Sequence, residues 1–361
     1  MKNSKDRYWD CLDQAMEASH GGRIEEALAW LEEALKANPG GAEAHNGRGE
    51  ILWDEGRVEE SLFEFERAIG TDPKFGTAHL NRIELLIEEA GEFETALEAC
   101  DELLAGLPAL PRLDRPFQAE LCYLKAKALF YRDDLEGAVF LIRRAIKSGG
   151  EQGTYAAFEG HVLFEMGSYL EARRVLDRAA ASEPDSPHIL YGLGLVLERI
   201  AWAGDDRGSE ESREQARQAA EFAFERANSL DPIQFPRPLS VSVEFFDEVI
   251  AEALDNLPRS IREYVEPVLP IGVEDFPSLD LVVGESLSPQ TLGLFMGVPR
   301  TEAAPTEQVP ALDRILLFKG NLEKICRDRE ELIEQIQITV RHEVGHYLGL
   351  DENDLERLGL A

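Results

Sequence analysis

Apolar positions in the first two thirds of the chain recur with helical spacing inside a longer period. Ala27, Leu31, Ala34 and Pro39 set a frame. It returns 34 residues later as Ser61, Phe65, Ala68 and Pro73. It returns again at Ala96, Cys100, Leu103 and Pro108, at Ala138, Ile142 and Ala145, at Ala172, Leu176, Ala179 and Pro184, and at Ala220, Phe224, Ala227 and Pro232. Residues three and four apart share one helix face, so each frame predicts an amphipathic helix. A partner helix precedes each of five frames, with a small residue where the two cross: Ala15, Gly49, Ala126, Gly160 and Gly194. Small residues let antiparallel helices approach. Larger ones (Leu12, Leu52, Phe65, Leu129, Leu163, Leu197) fill the gaps between pairs. The proline ends the second helix and turns the chain into the next unit.

Six such units in frame resemble the tetratricopeptide repeat, whose period is 34 residues. The resemblance implies a stacked helical superhelix over residues 1–235, because no single unit buries its apolar face alone. It also implies a groove that binds a protein or peptide. A carboxylate clamp of Lys and Asn is not expected, since that face offers Asn46 and Arg82 beside Asp13 and Glu50. Pro108–Pro116 reads as a longer lead-in to the fourth unit, and Gly204–Arg213 as a polar inserted loop.

PIQFPRP, Pro232–Pro238, breaks the helical pattern and reads as a linker. Beyond it, Val243–Leu257 predicts an amphipathic helix. Val268–Val273, Leu279–Val283 and Ile315–Lys319 predict strands, and Leu292–Val298 a strand or a turn-rich segment. Ser286–Gln290 and Pro299–Pro310 read as loops. Asn321 is expected to cap a helix that runs, with a break, to Leu348. The fold class is therefore mainly α, with a small α+β domain over residues 240–361.

Charge narrows the partners. The chain of 361 residues carries a net charge of −33. Nucleic-acid affinity comes from Lys and Arg neutralising phosphates, so nucleic acid and anionic membrane surfaces are not expected. No apolar stretch is long enough to span a bilayer. Cys11, Cys100, Cys122 and Cys326 are scattered, as free thiols in a reducing compartment would be. Together with a start that lacks a signal-peptide core, this predicts a cytoplasmic protein. Cys326 reads as a core residue.

The chemistry lies near residue 345. His342, Glu343 and His346 form HExxH, extended by Gly349 and Glu352 to HExxHxxGxxE. Histidines four apart share a helix face and can share one metal ion. Glu343, beside the first of them, can take a proton from a water that the metal has acidified. Gly349 can adopt the left-handed backbone that ends a helix, so Glu352 can return as third ligand. Asp351 and Asp354 are rival ligands. Two imidazoles and a carboxylate suit one zinc ion, though manganese or iron also accept such a set.

The region Val243–Ala361 resembles the minimal zincin-like metallopeptidases. GLFMGVPR (Gly293–Arg300), LDRILLFKGNLEKICRDR (Leu312–Arg329) and TVRHEVGHYLGLDENDLERLG (Thr339–Gly359) follow that family's segments in order. The resemblance implies His342, His346 and Glu352 as zinc ligands, Glu343 as catalytic acid and base, and a peptide substrate. The family usually has Asp where this chain has Glu352. A metzincin is excluded, because residues 353–361 contain no methionine. In zincins an edge strand pairs with the extended substrate, and Ile315–Lys319 is the expected strand. Tyr347 could face the oxyanion or pack inside. The rival class is a tetratricopeptide adaptor whose second domain holds metal for structure only.

Overall fold

The computed structural model describes residues 4–106, 114–149, 153–203, 209–265, 268–298, 313–351, 353–354 and 357. Twelve helices come first, in six consecutive pairs. They are α1 (Ser4–His20) with α2 (Ile24–Ala37), α3 (Ala42–Asp54) with α4 (Val58–Thr71), and α5 (Gly76–Glu88) with α6 (Phe93–Ala105). They continue as α7 (Arg115–Tyr131) with α8 (Leu135–Gly149), α9 (Gly153–Glu165) with α10 (Tyr169–Ser182), and α11 (Pro187–Ala203) with α12 (Glu210–Leu230). The frame residues Ala27, Ser61, Phe65, Ala68, Ala96, Cys100, Ala138, Ile142 and Ala172 are all fully buried. Gly22, Gly56, Gly91 and Gly167 turn the chain between helices with φ of 70°, 72°, 64° and 69°.

The chain forms two compact units, Met1–Val162 and Leu163–Ala361, dividing within α9. In the first, small residues sit at the crossings as the pattern requires. A Cβ at Gly49 would lie 2.6 Å from Phe65 Cε1. Ser61 donates across the same crossing to the Gly49 carbonyl at 2.7 Å. Gly49→Val is therefore expected to separate α3 from α4 and to cost about 1–3 kcal/mol, read from chemical denaturation of the full chain. Asn46 donates to Glu50 at 2.9 Å, and Asn81 donates to both Asn46 and Glu50. Arg82 faces Glu66.

The second unit holds α10–α12 together with the C-terminal elements. These are α13 (Val243–Asp255), α14 (Arg259–Val265), β1 (Ile271–Glu274), α15 (Leu279–Gly284), β2 (Gly293–Met296), β3 (Arg314–Phe318), α16 (Lys319–Ile325) and α17 (Arg329–Leu348). The three strands form one sheet in the order β1-β3-β2, parallel between β1 and β3 and antiparallel between β2 and β3. Phe246, Val265, Ile315, Leu317, Leu322, Leu332, Ile336, Val340 and Tyr347 form its core.

Several elements differ from the sequence reading. Leu279–Val283 is helical, not a strand, because the Ser278 hydroxyl accepts the Leu281 N–H and starts α15. The strand expected over Val268–Val273 begins only at Ile271. Pro270 cannot donate to the ladder, and its carbonyl accepts Ile315 N–H at 3.0 Å. Ile315–Phe318 lie in the central strand, so the substrate-pairing edge expected there is excluded, and β1 and β2 flank β3 on its two sides. Asn321 lies within α16 rather than capping it. The cap position is Phe318, and the Asn321 amide is engaged with Pro289 and Thr291. The expected break in the last helix falls at Cys326–Asp328, where the Asp328 carboxylate caps α17.

The inserted loop expected over Gly204–Arg213 is shorter than read. Ser209 caps α12, which is helical from Glu210, while residues 204–208 lie outside the described residues. Asp114 caps α7 with Pro116 in its first turn, and residues 107–113 of the lead-in lie outside. The same holds for the loop expected over residues 299–310. PIQFPRP has no regular structure, yet Phe235 is buried against Leu190 and Ala227, meets His188 edge-on and lies tilted against Tyr191. All four cysteines are free and buried. Burial pushes the Cys326 thiol up to about 11, as suits a core residue. No helix among the described residues is long and apolar enough to cross a membrane.

Candidate metal centre and active site

The last two turns of α17 before Gly349 carry the motif. His342 and His346 point the same way, with ring centroids 4.6 Å apart and Nε2 atoms 3.0 Å apart. A tetrahedral zinc with bonds of about 2.0–2.1 Å sets two ligand nitrogens about 3.3 Å apart, so the pair is spaced to hold one ion. The His346 Nδ1 faces the Leu350 carbonyl at 3.2 Å. A carbonyl only accepts, so Nδ1 carries the proton and Nε2 keeps the lone pair that a metal needs.

Gly349 makes that arrangement possible. Its φ of 88° and ψ of 23° are left-handed, and the Leu350 N–H returns to the Gly345 carbonyl at 3.0 Å. The helix ends there, and the following carbonyl turns back onto His346.

Glu343 is 6% exposed. Its Oε2 accepts the Phe295 N–H at 2.6 Å. Phe295 lies on β2, opposite Ile315 of β3. Because Leu292 is the hydrogen-bonded partner of Phe318, the antiparallel alternation turns Phe295 N–H away from β3. The edge strand thus anchors the carboxylate through its main chain. Gly293 on the same strand comes so close to α17 that a Cβ there would lie 2.5 Å from Thr339 Cγ2 and 3.1 Å from Glu343 Cγ and Oε1.

Tyr347 is fully buried in the core and meets Phe295 edge-on, with centroids 5.6 Å apart. Its packing expectation holds, not the oxyanion one. Among the rival ligands, Asp351 accepts the Asp354 N–H at 2.8 Å, and Asp354 pairs with Arg357. Both carboxylates have partners on their own turn. Glu352, the expected third ligand, lies outside the described residues. Among the described residues no three His, Cys, Asp or Glu side chains form a metal-holding group.

Sequence reasoning missed four contributors: Phe295 N–H, Gly293, the Leu350 carbonyl and Asn321. Only Gly293 left a local signal, a glycine inside an apolar strand, which marks close backbone approach.

Residues 267–360 match the model of the zincin-like metallopeptidase family. Residues 12–74 and 159–200 match the tetratricopeptide repeat. No curated protein matches the chain. Among solved structures, PilF of Pseudomonas aeruginosa is 18% identical with a TM-score of 0.50, covering 70% of this chain and 100% of its own. PilW, described as a widely conserved type IV pilus biogenesis factor, is 16% identical with a TM-score of 0.50, covering 63% and 94%. Identities this low show the fold alone. The chain thus carries a tetratricopeptide array followed by a zincin-like segment.

Proposed function

We propose that the chain is a zinc-dependent metallopeptidase whose repeats bind a protein or peptide. The observation that carries this reading is the convergence of the two Nε2 atoms to 3.0 Å beside a buried carboxylate held by an edge strand. His342, His346 and Glu352 would hold one zinc ion. When bound, zinc acidifies water and polarises a carbonyl. The remaining chemistry belongs to the chain. Glu343 takes the proton of the attacking water and passes it to the leaving amine. The Phe295 N–H keeps its carboxylate oriented through both transfers. Buried thiols without disulfides suit a reducing compartment, and we place the protein in the cytoplasm.

The test is metal content with cleavage of an unstructured protein such as casein. The purified chain is expected to hold one zinc and to lose both metal and cleavage to a chelator. Zinc should restore both. His342→Ala and His346→Ala should hold no zinc. A wild-type chain without stoichiometric metal would overturn the site, and cleavage that survives chelation would overturn the mechanism.

A further inference from the structure

The first helix of the last repeat, α11, contains a buried arginine. Arg199 is 1% exposed. Burial pulls its pKa below the usual arginine value, against the pull of Glu198. A guanidinium removed from water needs partners, and Arg199 finds them on its own helix and on the zincin-like side. Nη1 donates to Glu198 at 2.9 Å. Nη2 donates to Asn321 Oδ1 at 2.5 Å and to the Pro289 carbonyl at 3.0 Å. The guanidinium carbon lies 3.7 Å from the Phe276 ring centroid. Glu198 also takes Lys324 Nζ at 2.8 Å.

Asn321 passes this hold onward. Its Nδ2 donates to the carbonyls of Pro289 and Thr291 at 2.9 and 2.7 Å. Glu165, at the end of α9, accepts from Ser288 and Gln290, each at 2.8 Å. Residues 288–291 are therefore pinned by repeat residues on one side and by α16 on the other. The next residue, Leu292, starts the pairing with β3, and three further on the Phe295 N–H holds Glu343.

We propose that Arg199 is a positioning residue for Glu343, acting through Asn321 and residues 289–292 on β2. The last repeat is then a working part of the site and not a detachable arm. Only the catalytic consequence rests on the reading of Glu343 as the base.

The experiment uses the full chain, zinc-loaded, as wild type, Arg199→Met, Arg199→Lys and Asn321→Ala. Arg237→Met serves as control, since Arg237 makes an exposed pair with Glu225. Amide hydrogen exchange is followed segment by segment, with kcat and KM on a peptide. Arg199→Met and Asn321→Ala are expected to speed exchange over residues 292–298 about tenfold and to lower kcat about tenfold at unchanged KM. Exchange in α10 and α13 should stay as in wild type. Arg199→Lys should fall between, and the control should match wild type. Unchanged exchange over 292–298 in either folded variant overturns the proposal. So does acceleration spread evenly over residues 163–361, the mark of a merely structural role. Should Arg199→Met fail to fold, Asn321→Ala decides alone, because it leaves the Arg199–Glu198 pair intact. If the wild type cleaves nothing, the peptidase reading fails while the exchange result still decides the positioning.

Discussion

Glu343→Gln is expected to lower kcat for peptide cleavage by about 10²–10⁴-fold, with KM and bound zinc unchanged. Glutamine keeps the length of the side chain, and its carbonyl oxygen can still accept the Phe295 N–H that now meets Oε2 at 2.6 Å. What disappears is the capacity to hold a proton between the attacking water and the leaving amine. Glu343 is 6% exposed, so exchanging a charge for an amide there should not lower stability. Kinetics, zinc content and thermal unfolding of the same preparation separate these effects. Cleavage equal to wild type would remove Glu343 from the mechanism. Loss of zinc would show that the substitution disturbed His342 and His346 instead.

What the sequence revealed follows the range of each interaction. The repeats were legible because their frame is local: Gly49 meets Phe65, and Gly194 meets Phe224, inside one helix pair. HExxH was legible for the same reason, since one helix turn sets the spacing of His342 and His346. Leu279–Val283 was misread because five apolar residues fit a strand or a buried helix equally, and the Ser278 cap decides for the helix. The rank of β3 within the sheet was hidden, because strand order depends on pairings such as Ile271 with Ile315, far apart in the chain. The hold of Asn321 on Pro289 and of Phe295 on Glu343 was hidden likewise. These are hydrogen bonds between residues 32 and 48 positions apart, and no period or motif marks them.

Gly293→Ala tests how closely the strand and helix must meet. The added methyl would lie 2.5 Å from Thr339 Cγ2 and 3.1 Å from Glu343 Cγ and Oε1. Contacts under about 3.4 Å are repulsive for carbon, so β2 must withdraw from α17 or Glu343 must swing aside. Thr339 cannot yield easily, because it is 6% exposed and its hydroxyl donates to the Gln335 carbonyl at 2.8 Å. The expected cost is about 1–3 kcal/mol of stability. Activity should fall further than stability suggests, by about 10²-fold, since a displacement near 1 Å suffices for that loss. The double variant Gly293→Ala/Thr339→Ala separates the two contacts. Removing Cγ2 clears the 2.5 Å clash and should recover most of the unfolding midpoint. The methyl still presses on Glu343, so kcat should recover only in part. Full recovery of both would mean that β2 shifts as a whole and carries the Phe295 N–H with it, whereas recovery of neither would place the strain elsewhere in the strand.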